Sequence, residues 1–517
     1  MGTPIIDPLS DELPLPLVQR TAKAPPNQLA TFRFPADRLA HDASRWFSSE
    51  PQTHPVRSDN EVKYLIDGKT TFAEMARVIR TTTDPSSHFI YVLGWTMFLD
   101  FAFAEDGTTL GQLFQAASDR GIQIRVMLWA AIRIPFKMPQ FGQNQGVVGR
   151  VTRLASGQGI FDHRVLPLGA HHQKVMIVAG SEGLTAFCGG IDVNPDRVFP
   201  NGVNGAEQEG GPMHDVHCRI RGPAAFDCLQ TFIERWTDYI RAMPVKEKKP
   251  LLGKNVSLDA QAKSGRLHVQ IARTFGNATR HGMSAESDAQ SPPLIQLSPY
   301  EFAKNGERTI RAMFLRAIAA ARRFIYIEDQ YLVNPETSAA LAKALPNLSH
   351  LTILIPHSDI SDMPRVHELR KRFINPLRAA GGRKVRVFTR FPFQPNDQHS
   401  YVHAKTWVFD DQFAIIGSAN NNLRGWTHDS EFGVGVYDES SNAKAAYTFA
   451  HRLRISLWAE HLNMNTSDGH ADLADGVAST FHWLQGGTNV AVFDENLGVD
   501  FGPSTKTPLV AVDPDGT

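Results

Sequence analysis

The sequence predicts an α/β protein built twice, as two similar α-β-α lobes, each with a mixed central sheet. Three observations predict it. Short apolar runs bounded by turn signals alternate with helical stretches, in strand-helix-strand order. The apolar strand Phe89-Ile-Tyr-Val-Leu93 returns as Phe324-Ile-Tyr-Ile-Glu328. A His-x-Lys triplet leading into an apolar strand, a turn and a small-residue corner also occurs twice, at His172-Gln-Lys174 and His403-Ala-Lys405. His172 stands 83 positions after Phe89, and His403 stands 79 after Phe324. Such a repeated order marks an internal duplication.

In the first lobe, residues 57–66 read as a strand and Asp67-Gly68 as a tight turn. Residues 72–80 form a helix with Phe72, Met75 and Ile79 on one face. A buried strand at 89–93, a helix at 110–119 stopped by Gly121, and a strand at 122–128 follow. Residues 134–163 lack a period; Phe136, Met138 and Phe141 sit among Gly and Gln, and either a substrate-facing lid or surface padding fits. The loop 192–211 holds Asp196-Arg197 and directly follows the Gly189-Gly190 corner, which puts it near that motif. The strand at 214–220 carries Asp215 and His217 on one face. Residues 224–240 are a helix whose Phe232, Trp236 and Tyr239 pack inward.

Pro244-Val-Lys-Glu-Lys-Lys-Pro250 is charged and Pro-bounded, as an exposed linker is. A strand at 267–274 opens the second lobe, and 284–293 is a surface loop. The helix at 308–321 turns Ile310, Met313, Phe314, Ala317 and Ile318 inward. After the strand at Phe324 come a helix at 339–345, a strand at 351–355, a helix at 366–379, a strand at 385–388 and a closing helix at 443–460. The domains expected are an N-terminal extension (1–56), a first lobe (57–243), a linker (244–266), a second lobe (267–465) and a C-terminal extension (466–517).

In a strand, His403 and Lys405 share a face, as do His172 and Lys174, and an imidazole beside an ammonium suits an anionic substrate. Asp410 and Asp411 fall at the turn, where a carboxylate bonds nearby backbone. On these residues the chain resembles the phospholipase D superfamily, which carries two His-x-Lys-x4-Asp motifs. The second copy fits throughout, with His403, Lys405, Asp410, Gly417, Ser418 and Asn420. The first keeps His172, Lys174, Gly189 and Gly190 but has Ala179 in place of the Asp, with Glu182 as a candidate substitute. Met213-His-Asp-Val-His-Cys218, Phe324-Ile-Tyr-Ile-Glu-Asp-Gln-Tyr331 and Asp429-Ser-Glu431 resemble the full-length phospholipid-cleaving enzymes. The resemblance covers roughly residues 57–465.

The resemblance implies a metal-independent phosphodiesterase. One imidazole attacks phosphorus to give a phosphohistidine and the other protonates the leaving oxygen. His172 is the implied nucleophile and His403 the acid, although the residues themselves are symmetric. Lys174 and Lys405 offset the phosphate charge, and Ser418 and Asn420 can donate to its oxygens. Asp192 matches Asn420 in position, and a carboxylate there repels phosphate, so it takes no such role. Each imidazole needs a partner for its second nitrogen; the resemblance suggests Asp215 for His172 and Glu431 for His403, while the sequence alone does not choose Glu431 over Asp429. His171, His214 and His217 read as structural. Asp410 braces the site. Gly189, Gly190, Trp95, Gln330, Tyr331 and Trp426 are the candidates for contact with substrate, with Trp426 at an apolar cleft mouth; for Trp95 and Tyr331 a place in the core is the alternative.

The 517 residues carry 53 Lys+Arg and 53 Asp+Glu, so the chain lacks the basic excess of a nucleic-acid binder. Cys188, Cys218 and Cys228 form neither a disulfide framework nor a metal spacing, and no cofactor or metal is expected. The opening Met1-Gly-Thr-Pro-Ile-Ile-Asp7 has no basic start or apolar run, which suggests a soluble protein, cytoplasmic or exported without a classical signal, or secreted if this is a mature form. A monomer acting on phospholipid at a membrane or micelle surface, with small alcohols as acceptors and no nucleic-acid partner, follows from the resemblance. The readings to separate are a phospholipase D, a phosphatidyl transferase of the cardiolipin-synthase type, a nuclease, and a non-catalytic phospholipid binder.

Overall fold

The structure, a computed structural model, describes residues 43–130, 139–166, 168–198, 213–243, 245–277, 300–356, 365–390, 401–438, 447–464, 471–485, 489–494, 513 and 515. The chain divides into residues 1–37, which lie outside the described residues, and 38–517, to which everything below refers. Phe136, Met138 and the loop 284–293 also lie outside the described residues.

Seven strands build the first half: β1 (Arg57–Ile66), β2 (Phe89–Gly94), β3 (Gln123–Trp129), β4 (Gly157–Asp162), β5 (Val175–Gly180), β6 (Gly183–Gly189) and β7 (Val216–Arg221). The second half holds β8 (Leu267–Phe275), the short β9 (Glu307–Arg308), β10 (Phe324–Asp329), β11 (His350–Ile355), β12 (Val385–Arg390), β13 (Lys405–Phe409), β14 (Phe413–Gly417), β15 (Glu431–Tyr437) and β16 (Val490–Val492). Across the sheet the first half runs β4-β3-β2-β5-β6-β7-β1, and the second repeats it as β12-β11-β10-β13-β14-β15-β8, with β16 added at the edge. In each half the first three strands in that order are parallel and the rest antiparallel.

The helices repeat as well. In the first half they are α1 (Asp67–Ile79), α2 (Leu110–Asp119), α3 (Pro139–Arg153) and α4 (Pro223–Ala242). The second half has α5 (Thr309–Ala320), α6 (Pro335–Ala344), α7 (Val366–Gly381), the one-turn α8 (Leu423–Thr427) and α9 (Phe449–His461). Helix α2 starts on a capping box between Thr109 and Gln112, and Gly121 at φ 81° turns the chain out of it. All residues of β2 and β10 are buried, as expected of central strands covered on both faces.

Three expectations change. The sheets of the two lobes are one sheet, because β1 pairs antiparallel with β8 across a bulge. Asn60 closes that seam: its Nδ2 donates to the carbonyls of Arg57, Ser58 and Leu267, and its Oδ1 accepts from the Ala224 N–H. One apolar cluster accordingly runs from Tyr91 and Trp236 through Val269 to Tyr326 and Trp458. Asp67-Gly68 is not a turn but the first residues of α1, with Asp67 in the left-handed region at φ 62°. The stretch 134–163, read as irregular, contains α3 and β4. Among the described residues no helix is long and apolar enough to cross a membrane.

Candidate active site

Both His-x-Lys triplets lead directly into a strand, Lys174 into β5 and Lys405 as the first residue of β13. Two backbone bridges between the halves place the imidazoles. The His172 N–H donates to the Ser430 carbonyl at 2.8 Å, and the His403 N–H donates to the His214 carbonyl at 2.8 Å. Each histidine thereby lies beside the strand start of the opposite half, where a carboxylate follows one residue later.

The pairing is therefore crossed relative to the sequence-based assignment. His172 Nδ1 meets Glu431 Oε1 at 2.9 Å, and His403 Nδ1 meets Asp215 Oδ2 at 2.6 Å. Asp429, the alternative, is taken by Arg424 and by the Ala170 N–H. Burial lowers both imidazoles well below their usual range, with Lys174 and Lys405 adding to the effect at His172 and Lys405 and Arg197 at His403. Burial pushes Glu431 up to about 8 and Asp215 up to about 7. Each ring is thus fixed through Nδ1 to a carboxyl group whose protonated form burial favours.

Cations crowd the same place. Lys405 Nζ donates to Gln330 Oε1 at 2.8 Å and to the His403 carbonyl, and burial lowers its pKa to about 8. Lys174 Nζ donates to the His172 carbonyl at 3.1 Å and lies 5.6 Å from the Trp95 ring centroid. Asp192, set aside in the sequence as hostile to phosphate, pairs at 3.4 Å with both Lys174 and Arg197. Arg197 is a further cation beside the two imidazoles that motif matching misses. It is buried, and its Nη2 lies 3.4 Å from His403 Nε2. Its only sequence signal was the polarity of a loop leaving the Gly189-Gly190 corner. This arrangement suits an anionic phosphoryl group and opposes a metal ion between the imidazoles.

The family model described as "Cardiolipin synthase, PLD-like domain" matches residues 314–453, and that described as "Phospholipase D" matches residues 196–351. The chain belongs to the phospholipase D superfamily. It is 23% identical over 512 residues to phospholipase D alpha 1 of Brassica oleracea var. capitata, a match covering 73% of this chain and 62% of that protein. It is likewise 23% identical over 568 residues to phospholipase D delta of Arabidopsis thaliana, covering 75% and 63%. The chain thus spans a little under two thirds of the curated relatives it matches. Among solved structures, a phosphatidylserine synthase of Haemophilus influenzae Rd KW20 aligns with TM-score 0.48 and 14% identity, over 74% of this chain and 83% of that one.

Several residues that the superfamily motifs single out sit elsewhere than at a substrate. Ser418 donates its hydroxyl to Glu431 Oε2, so it orients the carboxylate that holds His172. Gly190, its counterpart, leaves space: a Cβ there would fall 2.1 Å from Asp215 Oδ1, and one at Gly189 would fall 2.6 Å from His217 Cα. Both glycines make room for the His403 partner and its strand. Asp410 lies at the far end of β13 from Lys405 and accepts the N–H groups of Arg322, Arg323 and Phe324 at 2.7, 2.7 and 2.9 Å. Glu182 does not replace it in the first half, since it pairs with Arg77.

Trp426 is not at a cleft mouth. It is fully buried and stacked on Phe314, with ring centroids 5.4 Å apart, because α8 turns its side chain into the core. Gln330 holds Lys405 and bonds the Tyr401 hydroxyl, and Tyr331 packs against Val333 and Val366. Trp95 does reach the site: its edge meets the His172 ring at 5.8 Å, and it stacks on Trp129 in a small cluster with Phe141. The Asn420 side chain is buried, and its Oδ1 has no hydrogen-bond partner among the described residues. His171 is held between Asp162 and Ser430, away from such a role.

Proposed function

We propose that the chain is a phospholipase D, cleaving the headgroup alcohol from a glycerophospholipid through a covalent phosphohistidine. The supporting observation is the crossed pair of carboxylate-held imidazoles with Lys174, Lys405 and Arg197 around them. His172 Nε2 attacks phosphorus, and His403 gives its proton to the departing headgroup oxygen. The lysines and Arg197 offset charge on the non-bridging oxygens, and the Asn420 amide donates to one of them. His403 then takes a proton from water, which displaces His172 and leaves phosphatidic acid. A small alcohol in place of water gives a phosphatidyl alcohol instead. Trp95, against the His172 ring and stacked on Trp129, gives the site an apolar side that suits a lipid.

Arg197 favours the opposite order of the two histidines. A guanidinium 3.4 Å from His403 Nε2 disfavours protonation there. The His172–Glu431 pair, in contrast, keeps its proton to about pH 8. Trapping the phosphoryl adduct and mapping it to His172 or His403 decides between them.

The test of the function is headgroup release from mixed liposomes, with and without a primary alcohol. Release that the alcohol diverts to the phosphatidyl alcohol is the expected result. Absence of release with cleavage of DNA, or transfer only onto a second phospholipid, would replace the reading by a nuclease or a cardiolipin-synthase-type transferase.

A further inference from the structure

Behind Asp215, on the side away from His403, three side chains from distant parts of the chain converge. They are Asp67 at the start of α1, His214 just before β7, and Glu460 in the last turn of α9. His214 Nδ1 lies 3.1 Å from Asp67 Oδ1 and 3.1 Å from Glu460 Oε1, and the three donor atoms lie within 4.8 Å of one another. His214 is fully buried, and its Nδ1 makes no hydrogen bond to either oxygen.

The opposite ring nitrogen is fully engaged. His214 Nε2 meets Glu328 Oε2 at 2.9 Å, and the other oxygen of Glu328 takes His461 Nε2 at 2.9 Å and the Tyr326 hydroxyl. A carboxylate on one imidazole nitrogen fixes the tautomer and turns the lone pair of the other outward, the arrangement found behind metal-bound histidines. Here that nitrogen faces two carboxylate oxygens, a contact that needs a cation in place, either a proton on Nδ1 or a metal ion held by the three groups.

We infer that Asp67, His214 and Glu460 form a site for a first-row divalent cation of the zinc class, bridging the two halves. For a metal about 2.1 Å from each donor, a 3.1 Å donor–donor edge subtends about 95°, between octahedral and tetrahedral angles. Calcium fits less well, because it takes oxygen donors at longer distances. Charge is consistent: Asp67, Glu460 and Glu328 supply three negative charges, and Arg390, 3.3 Å from Glu460 Oε1, supplies one positive. The Asp67 and Glu460 side chains are 34% and 28% exposed, so the ion has a path in and water can complete its shell. The site also backs the catalytic constellation: Asp67 Oδ1 accepts the Asp215 N–H at 3.1 Å, and the Asp67 N–H donates to the Asp215 carbonyl at 2.9 Å. Its role is to hold the halves in register and Asp215 in place; no step of the phosphoryl chemistry passes through it, and the inference does not depend on the proposed activity.

The test uses the full chain, stripped with a chelator, titrated with Zn2+, desalted and assayed for bound metal and Tm. Three proteins are compared: the unaltered chain, Asp67→Asn/Glu460→Gln, and His172→Asn. About one equivalent of zinc and a Tm rise of a few degrees are expected for the unaltered chain and for His172→Asn, and both are lost in the double variant. Equal retention by all three, or none by the unaltered chain, overturns the inference. If the double variant does not fold, Glu460→Gln alone makes the comparison, with at least about a hundred-fold weaker binding expected. Loss of headgroup release in His172→Asn with zinc retained separates this site from the catalytic one.

Discussion

The two motif turns close the same corner of the fold by different means. After β13, Asp410 reaches across to β10 and gathers three backbone N–H groups, from Arg322, Arg323 and Phe324. Near the end of β5, Ala179 has no such reach, and the segment before β2 satisfies itself. There the Asp84 side chain accepts from Ser86 and Ser87, the Asp84 carbonyl accepts the His88 N–H, and His88 Nδ1 accepts the N–H groups of Thr83 and Asp84. Gly180 fits against Thr81, whose Oγ1 would lie 2.1 Å from an added Cβ. The difference teaches that the motif aspartate anchors a strand rather than serving phosphorus. The halves differ at the outer end of the strand, while the His-x-Lys triplet at its inner end is present in both.

If that is right, the inner end should respond equally in both halves. His172→Ala and His403→Ala should each lower kcat/KM for headgroup release by about a thousand-fold or more, because each removes a whole catalytic role. A single-half loss below about ten-fold would break the symmetry.

The outer end should respond unequally. Asp410→Ala leaves three N–H groups without their acceptor, of which that of Phe324 is buried, and should cost about 2 kcal/mol of stability, read as a lower Tm or denaturation midpoint. Activity per folded molecule should stay within a few-fold. Asp84→Ala, in an exposed turn, should lower Tm by much less, and Ala179→Asp should raise neither rate nor Tm. A collapse of kcat in Asp410→Ala at unchanged Tm would return that residue to the chemistry.

The difference between Ser418 and Gly190 can be tested by exchange. Ser418→Ala removes the hydroxyl donor to Glu431 and should slow turnover about ten-fold while KM changes little. Asp215 needs no such donor, since it accepts the Val216 N–H at 2.7 Å.

The smallest effect is a pH limb. Burial lowers Lys405 to about 8, so kcat/KM should fall above about pH 8 as that charge is lost. Its folded pKa lies below the ordinary lysine value of 10.5, so between those two pH values the unfolded chain binds the proton more tightly and stability rises with pH. At neutral pH the buried ammonium therefore weakens the fold, and Lys405→Met should raise Tm at pH 7 while abolishing activity. An unchanged alkaline limb in Lys405→Arg would assign the titration elsewhere.

Much of this was legible in the chain itself. The repeated strand order, the two triplets and the apolar face of α5 all have local periodicity. What could not be read required the other half. The bridges His171 to Ser430 and His214 to Val402 decide which carboxylate meets which histidine, and nothing within either motif encodes them. Trp426 follows the Asn420 corner closely in sequence, yet one helical turn sends its ring into the core. Helix α3 was hidden because Gly142, Gly146 and Gly149 interrupt its pattern, and glycine is a poor helix former. The site of Asp67, His214 and Glu460 has no spacing to recognise, since each residue comes from a different stretch of the chain.

The crossed carboxylates have a consequence for how such a chain can arise and be divided. A half on its own would carry a histidine whose orienting acid is missing, together with an acid that has no histidine to hold. Two copies related by a twofold axis would repair both defects at once, each completing the other. The single chain holds that reciprocity within itself, in Glu431 for His172 and Asp215 for His403. Two inactive full-length chains, one carrying His172→Ala and the other His403→Ala, could not rescue each other simply by mixing. Separately expressed halves could, because reuniting them restores both pairs together.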